Sequence, residues 1–359
     1  MKIVFVYDNS ILNQYRVQWR CRNIANAINR TGLHHADLMD IPAFVSDTEE
    51  CQRVCSEADL IIIHQFGIGT VLKTALSWKT LKKKIVLDID VALNLIDEDM
   101  DLYPLWIKGE VPPGFAGCPS DSLCVDPTPL QQLKWATSHF DAITVSSERL
   151  AGDWERFGKV FLVPDFIDTD QYLPLKTHPD GEIWFGMGGG PLSGKTFENS
   201  GLLQAVEEVC QQKPNTRLFI GNLPSPLIEK LRVPPEQRII YSWMPPEDWR
   251  GCISNLDLGL APSLTQYDFR ESRKPVLEYL SLKIPWVASD HLPFRDIKQY
   301  GMVVENSYIA WKNGILQSIN CLEERTTFAS GNPYLYAISQ DIDENINKII
   351  DSYEMIIRD

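Results

Sequence analysis

The chain has 359 residues, 44% of them hydrophobic and 23% charged, and a formal net charge of −14. That composition belongs to a soluble globular protein of about two domains, and its negative balance disfavours binding to a phosphate backbone. No apolar run approaches the roughly 20 residues that span a bilayer, and "MKIVFVYDNS" turns acidic too soon for a signal peptide. The acidic balance also weighs against stable membrane attachment, so a cytoplasmic protein is expected.

In chain order, short apolar runs predict strands at Ile3–Tyr7, Leu60–His64, Lys84–Asp88, Ala142–Ser146 and Val160–Pro164, then at Ile183–Met187, Thr216–Ile220, Arg238–Tyr241, Leu256–Ala261 and Pro285–Ala288. Between them, apolar positions at helical spacing predict helices over Asn13–Arg30, Pro129–His139, Ser147–Phe157, Asn199–Gln212 and Pro275–Leu282. Strands alternating with helices imply parallel sheets covered on both faces. Two such series imply two doubly wound α/β domains. The polar stretch "DFIDTDQYLPLKTHPDGE" places the boundary, giving an N-terminal domain over 1–165, a linker over 166–182 and a C-terminal domain over 183–335. From about Tyr334 to Asp359 a final amphipathic helix is expected, 336–359 being set apart from the second domain and available to pack back on the N-terminal domain. Glu98–Pro127, with five prolines and three glycines, reads as a long loop.

The eight cysteines are too sparse for a disulfide framework, and Cys51-x3-Cys55 and Cys118-x5-Cys124 lack the spacing of a zinc ribbon. Reduced thiols and no metal are expected. The segment "GGPLSGKT", 189–196, satisfies the phosphate-binding pattern G-x-x-x-x-G-K-[ST] between an apolar strand and a helix. A glycine turn exposes backbone N–H groups and the lysine adds charge, so the segment suits a diphosphate. Taken alone, it reads as a P-loop NTPase.

Further motifs resemble retaining glycosyltransferases of the GT-B fold, the family 4-like group (glycosyl transferases group 1). "VPDFIDTDQY" (163–172) is similar to that family's V-P-N-G-I-D-x-x-x-F, "LFIGNLP" (218–224) to L-x-I-V-G-x-G-P, and "LDLGLAPS" (256–263) to A-D-V-x-L-x-P-S. "KPVLEYLSLKIPWVASD" (274–290) resembles K-x-L-E-Y-x-A-x-G-x-P-V-V-A-S-D, and "VSSERLAGDWERFGKVFLVP" (145–164) is similar to the segment that precedes the junction. Together they cover roughly 140–305; residues 1–140 match in fold pattern alone.

The resemblance implies two Rossmann-like domains facing across a cleft, a nucleoside-diphosphate sugar donor as co-substrate, and metal-independent transfer with retention of configuration. It implies a donor site of Gly188, Gly189, Gly190, Lys195, Arg270, Arg273, Lys274 and Glu278, with Lys195 steadying the departing diphosphate and Glu278 accepting from the ribose hydroxyls. The family's E-x7-E pattern has Arg270 in its first place here, so the adjacent Glu271 is taken for that role, and Met187 stands where the family has an arginine. Asp88 and Asp90, two apart at a strand's carboxyl end, are expected to orient or deprotonate the acceptor. His64, the Asp8-Asn9-Ser10 loop, Arg16 and Arg20 are weaker candidates. Read without the resemblance, Asp88 and Asp90 also suit strand-end solvation, and Arg270, Arg273 and Lys274 suit surface charge. An NTPase, another enzyme on the same scaffold (an epimerase or a phosphorylase) and a non-catalytic nucleotide-sugar-binding protein remain as alternatives. The acceptor and the oligomeric state stay open; nucleic acid is disfavoured as a partner, though a modified base remains a conceivable acceptor.

Overall fold

The computed structural model of the chain describes every residue except 11, 12, 47, 112–125, 189–193, 222–224 and 242–243. Twelve strands form two parallel six-stranded sheets. The first series runs β1 (Lys2–Tyr7), α1 (Gln14–Val17), α2 (Asn23–Arg30), β2 (His35–Asp40), α3 (Ile41–Val45), α4 (Glu49–Glu57), β3 (Leu60–His64), α5 (Gly69–Thr80), β4 (Lys84–Ile89), α6 (Pro129–Ala136), β5 (Ala142–Val145), α7 (Glu148–Trp154) and β6 (Val160–Leu162). The second runs β7 (Ile183–Met187), α8 (Gly194–Asn199), α9 (Leu202–Gln212), β8 (Thr216–Gly221), α10 (Ser225–Lys230), β9 (Arg238–Tyr241), α11 (Pro246–Ile253), β10 (Leu258–Ala261), α12 (Lys274–Ser281), β11 (Trp286–Ser289), β12 (Met302–Val304), α13 (Tyr308–Asn320), α14 (Leu322–Ala329) and α15 (Asn332–Ser339). A last helix, α16 (Ile342–Arg358), follows.

By contacts the chain divides into Met1–Phe166 with Ile342–Asp359, and Ile167–Asp341. In the first unit the strand order is β2-β1-β3-β4-β5-β6. β1 pairs with β2 on one side and β3 on the other, Val4 opposite Asp37 and Ile61. The continuous apolar run of β3, LIIIH, is buried throughout because helices cover both faces. α16 closes one face: Ile342, Ile346, Ile349, Ile350, Tyr353 and Ile356 pack with Ile3, Phe5, Ile24 and Ile28. Each such side chain contributes roughly 1.5–3 kcal/mol when fully buried.

In the second unit the order is β12-β11-β10-β7-β8-β9. Its core gathers Phe185, Leu218, Leu258 and Val287 from the sheet with Val206, Val209, Trp311 and Ile315 from α9 and α13. Gly186 is required in β7, since a Cβ there would lie 1.8 Å from the Phe219 carbonyl oxygen of β8.

Several elements differ from the sequence expectation. β2 and β12 were not expected: HADLMD has only an irregular apolar pattern, and MVV is three residues long; both lie at sheet edges. The helix expected over 13–30 carries a π-type turn at Gln18–Arg22 that widens it where Arg20 turns inward. The helix expected over 199–212 starts at Leu202 as α9, and α8 precedes it; Gly201 separates the two, its φ of +82 and close approach to the Tyr308 backbone N excluding a side chain. The C-terminal segment is two helices, α15 and α16, rather than one; the second groups with the first unit, the side on which the final helix was expected. Residues 167–182, expected as linker, group with the second unit. Within the expected loop 98–127, Pro104–Lys108 forms a π-type turn that buries Trp106, stacked on Phe66 at 5.2 Å.

Candidate functional site

In a doubly wound sheet, ligands bind beyond the carboxyl ends of the strands where the strand order reverses. The reversal falls between β1 and β3 in the first unit and between β7 and β10 in the second. The sequence candidates sort onto these two places.

At the reversal of the second unit, β7 leads through Gly188 into the glycine-rich segment. Gly189 and Gly190 lie outside the described residues. The described part resumes at α8, with Lys195 half-buried in its first turn and Thr196 fully buried beside it. The Thr196 hydroxyl donates to Asp268 Oδ2 at 2.6 Å, and the same oxygen accepts the backbone N–H groups of Leu264 and Thr265 at 2.8 Å each. Asp268 thereby ties the Lys195 turn to the loop after β10 that carries Arg270 and Glu271. Hydrogen bonds to a charged group contribute about 1.5–3 kcal/mol each. Ser263 anchors the base of the loop: its N–H donates to Ser289 Oγ and its hydroxyl to the Leu292 carbonyl.

Arg270, half-buried, donates to the Gln266 carbonyl and Oε1, both at 3.0 Å. Glu271 is half-buried three residues before α12. Arg273 points elsewhere, donating to the Tyr336 hydroxyl of α15 at 3.1 Å, and Lys274 is buried in the first turn of α12. The loop therefore joins Lys195 with Arg270, while Arg273 is drawn towards α15.

Glu278 and Gly188 take positions other than those expected. Glu278 is 1% exposed, and both carboxylate oxygens accept from the protein: Tyr172 O–H at 2.9 Å and Trp249 Nε1–H at 3.0 Å. A ribose hydroxyl would have to take over one of these places. Burial and the adjacent Glu278 charge push the Tyr172 hydroxyl well above its ordinary pKa, so it remains a donor. The Trp249 ring packs on glycine at the ends of β7 and β8. A Cβ on Gly188 would lie 2.4 Å from its Cη2, and one on Gly221 2.9 Å from its Cζ3. The missing side chain at Gly188 thus serves Trp249, where a close approach of phosphate was the expected reason.

In the first unit, Asp88 is a correction. It is 3% exposed, and Arg20 grips it through Nε–H at 3.1 Å and Nη2–H at 2.6 Å while Thr144 donates at 2.7 Å. Arg20 also donates through Nη1 to the Val163 carbonyl at 2.6 Å and Asp165 at 3.0 Å. Burial lowers the Arg20 pKa, but Asp88 and Asp165 outweigh it and hold it well above the ordinary value. Asp88 is therefore an interior charge neutralised by a guanidinium, not a group presented to an acceptor.

Asp90 and His64 lie closer to the reversal. Asp90, just past β4, accepts from Gln65 Nε2 at 2.6 Å and from His64 Nε2 at 3.1 Å; all three residues are buried. A carboxylate can only accept, which assigns the imidazole proton to Nε2. Among the described residues, Nδ1 has no hydrogen-bond partner. Gln65 holds this arrangement with φ of +59, a left-handed conformation that a non-glycine residue adopts only under constraint. Asp8, at the end of β1, is half-buried; burial raises its pKa, opposed by hydrogen bonds from Ser10 and by the nearby His64 ring. Asp8, His64, Gln65 and Asp90 thus converge from three adjacent strands. Sequence reading weighed the first two only weakly and missed Gln65, whose signal is a backbone angle.

Among the described residues, no group of three or more His, Cys, Asp and Glu side chains has the geometry to hold a metal ion. Cys51 and Cys55 are buried thiols of α4, the former donating to the Phe44 carbonyl.

No model of a protein family matches the chain, and no curated protein matches it. Solved structures do. Sucrose-phosphate synthase from Thermosynechococcus elongatus superposes with a TM-score of 0.66 at 12% identity, over 100% of this chain and 99% of that one. The UDP-GlcNAc 2-epimerase from Neisseria meningitidis, bound to UDP-GlcNAc, gives 0.54 at 12% identity, over 100% of both. The trehalose-6-phosphate structure from E. coli bound with UDP-2-fluoro glucose gives 0.57 at 10% identity, over 98% of both. At these identities the similarity establishes the fold, which is the two-domain α/β architecture named GT-B.

Proposed function

We propose that the protein is a glycosyltransferase that takes a sugar from a nucleoside-diphosphate sugar and passes it to an acceptor hydroxyl, with retention of configuration and without a metal ion. The observation that carries this reading is the coincidence, at the strand reversal of the second unit, of Gly188, Lys195 and the Asp268-tied loop bearing Arg270. As the bond to the leaving diphosphate breaks, negative charge grows on it, and fixed ammonium and guanidinium groups stabilise that charge without reorganising. The order of sequence motifs over roughly 140–305 supports the same reading. The acceptor is assigned to the first unit, near Asp90 and His64. Glu278, clamped by Tyr172 and Trp249, acts chiefly as the keystone of the donor-side interior. UDP is the first nucleotide to test, because neighbours of this fold were solved with UDP or UDP-sugars.

A second reading has its own support: a UDP-GlcNAc 2-epimerase matches over the full length, so the fold also suits epimerisation. One experiment separates the readings. Incubation with UDP-glucose or UDP-GlcNAc and a mixed panel of hydroxylated acceptors is followed by proton and phosphorus NMR. Transfer gives free UDP and a new glycoside of unchanged anomeric configuration, and Lys195→Ala slows it about 100-fold or more. A new sugar configuration still attached to UDP would select the epimerase. Hydrolysis of ATP, with neither sugar product, would select an NTPase built on "GGPLSGKT".

A further inference from the structure

The net charge of −14 conceals an uneven distribution. From Leu60 to Leu87 there is no Asp or Glu, yet Lys73, Lys79, Lys82, Lys83 and Lys84 fall there, in α5, the turn that follows and the first residue of β4. A second acid-free stretch, Thr128–Phe140, contains α6. The fold brings the two together: Lys79 Nζ donates to the His139 carbonyl at 2.7 Å, and the His139 ring meets Trp135 edge-on at 4.7 Å. Asp141, which follows this stretch, pairs with Lys79 at 3.2 Å. Lys134, next to Trp135 in α6, is a further lysine of this stretch.

The same face is apolar where it meets solvent. Trp135 is 64% exposed and Leu81 62%, and Leu72 and Leu76 line a shallow groove of about 390 Å3 along α5 with Lys73, Ser77 and Thr80. An exposed indole on α6, with exposed leucine and lysines on and just after the adjoining α5, combines the two forces of interfacial binding: insertion of apolar side chains at the headgroup boundary and attraction to negative lipid. Purely phosphate-seeking surfaces lack the exposed apolar component, and a protein partner lacks the extended plane of negative charge.

We propose that this face of the first unit docks on an anionic lipid bilayer, Leu76, Leu81 and Trp135 entering the interface while Lys73, Lys82 and Lys134 meet the headgroups. The local charge thereby overrides the acidic balance of the whole chain. The proposal stands independently of the glycosyl-transfer reading, because its readout involves no sugar.

The test is co-sedimentation of the full chain with large vesicles of phosphatidylcholine containing about 30% phosphatidylglycerol, against phosphatidylcholine alone. Binding is expected on the mixed vesicles only, and it should fall steeply at about 0.5 M NaCl. Lys73→Glu/Lys82→Glu should weaken the partition by about tenfold or more. Trp135→Ser should weaken binding at low salt with the salt slope retained. Circular dichroism melting checks that each variant remains folded, as substitutions on an exposed face allow. No binding to the mixed vesicles would overturn the proposal. So would binding that survives the charge reversal, or capture by immobilised heparin without vesicle binding, which would identify an acidic polymer as the partner.

Discussion

Arg20 unites acceptors from two distant stretches of chain, Asp88 sixty-eight residues away and Asp165 one hundred and forty-five away. Removing the guanidinium leaves two buried carboxylates without their cation, which costs far more than the pair's net contribution. Arg20→Met should lose about 3–5 kcal/mol of stability in urea denaturation; a loss below about 1 kcal/mol would show that water or rearrangement satisfies both carboxylates. Asp8 gives a pH test. Burial raises its pKa above the ordinary 3.8. The folded state then holds the proton more tightly than the unfolded state, so stability falls as pH rises from the ordinary value through the folded one. Asp8→Asn should match the wild type in melting temperature below about pH 3.5 and exceed it at neutral pH, the gap opening across that window. A gap that opens only above the histidine range would assign the effect to another group.

At the scale of elements, the contrast between two glycines checks the Trp249 packing. Gly188→Ala drives a methyl into the indole at 2.4 Å, whereas a Cβ on Gly152 in α7 meets nothing within 4 Å. Gly188→Ala should destabilise by about 1–3 kcal/mol or more, and Gly152→Ala should stabilise by roughly 0.5–1 kcal/mol. Ile349→Ala should cost about 2–5 kcal/mol, since α16 supplies core to the first unit. The interior strands were legible because each is an apolar run buried on both faces; LIIIH in β3 is the plainest. β2 and β12 were not: HADLMD has no regular apolar pattern and MVV is three residues long, whereas the edge strands β6 and β9 keep readable apolar runs. Lys195 stands out in the sequence through the spacing of GGPLSGKT, and Arg270 through its departure from E-x7-E. The occupants of Glu278 were not: Tyr172 and Trp249 stand 106 and 29 residues from it, and nothing local in either position signals the pairing. For the same reason Asp88 read as a site residue, because its neutralising arginine lies on another element.

At the scale of the whole molecule, the first unit is completed only by the C-terminal helix. The chain leaves it after Phe166 and returns at Ile342, and beside both crossings the second unit closes on itself through Ile167 N–H to the Gln340 carbonyl at 3.0 Å. Unfolding of the first unit is thus expected to report on both chain ends. The central claim is that the reversal point of the second unit binds a nucleoside diphosphate. A UDP-bound crystal structure tests it most directly. The account predicts the diphosphate beyond the carboxyl ends of β7 and β10, within hydrogen-bonding distance of Lys195 Nζ and beside the Arg270 loop. UDP seated away from that edge, or bound with Lys195 turned from the phosphates, would contradict it.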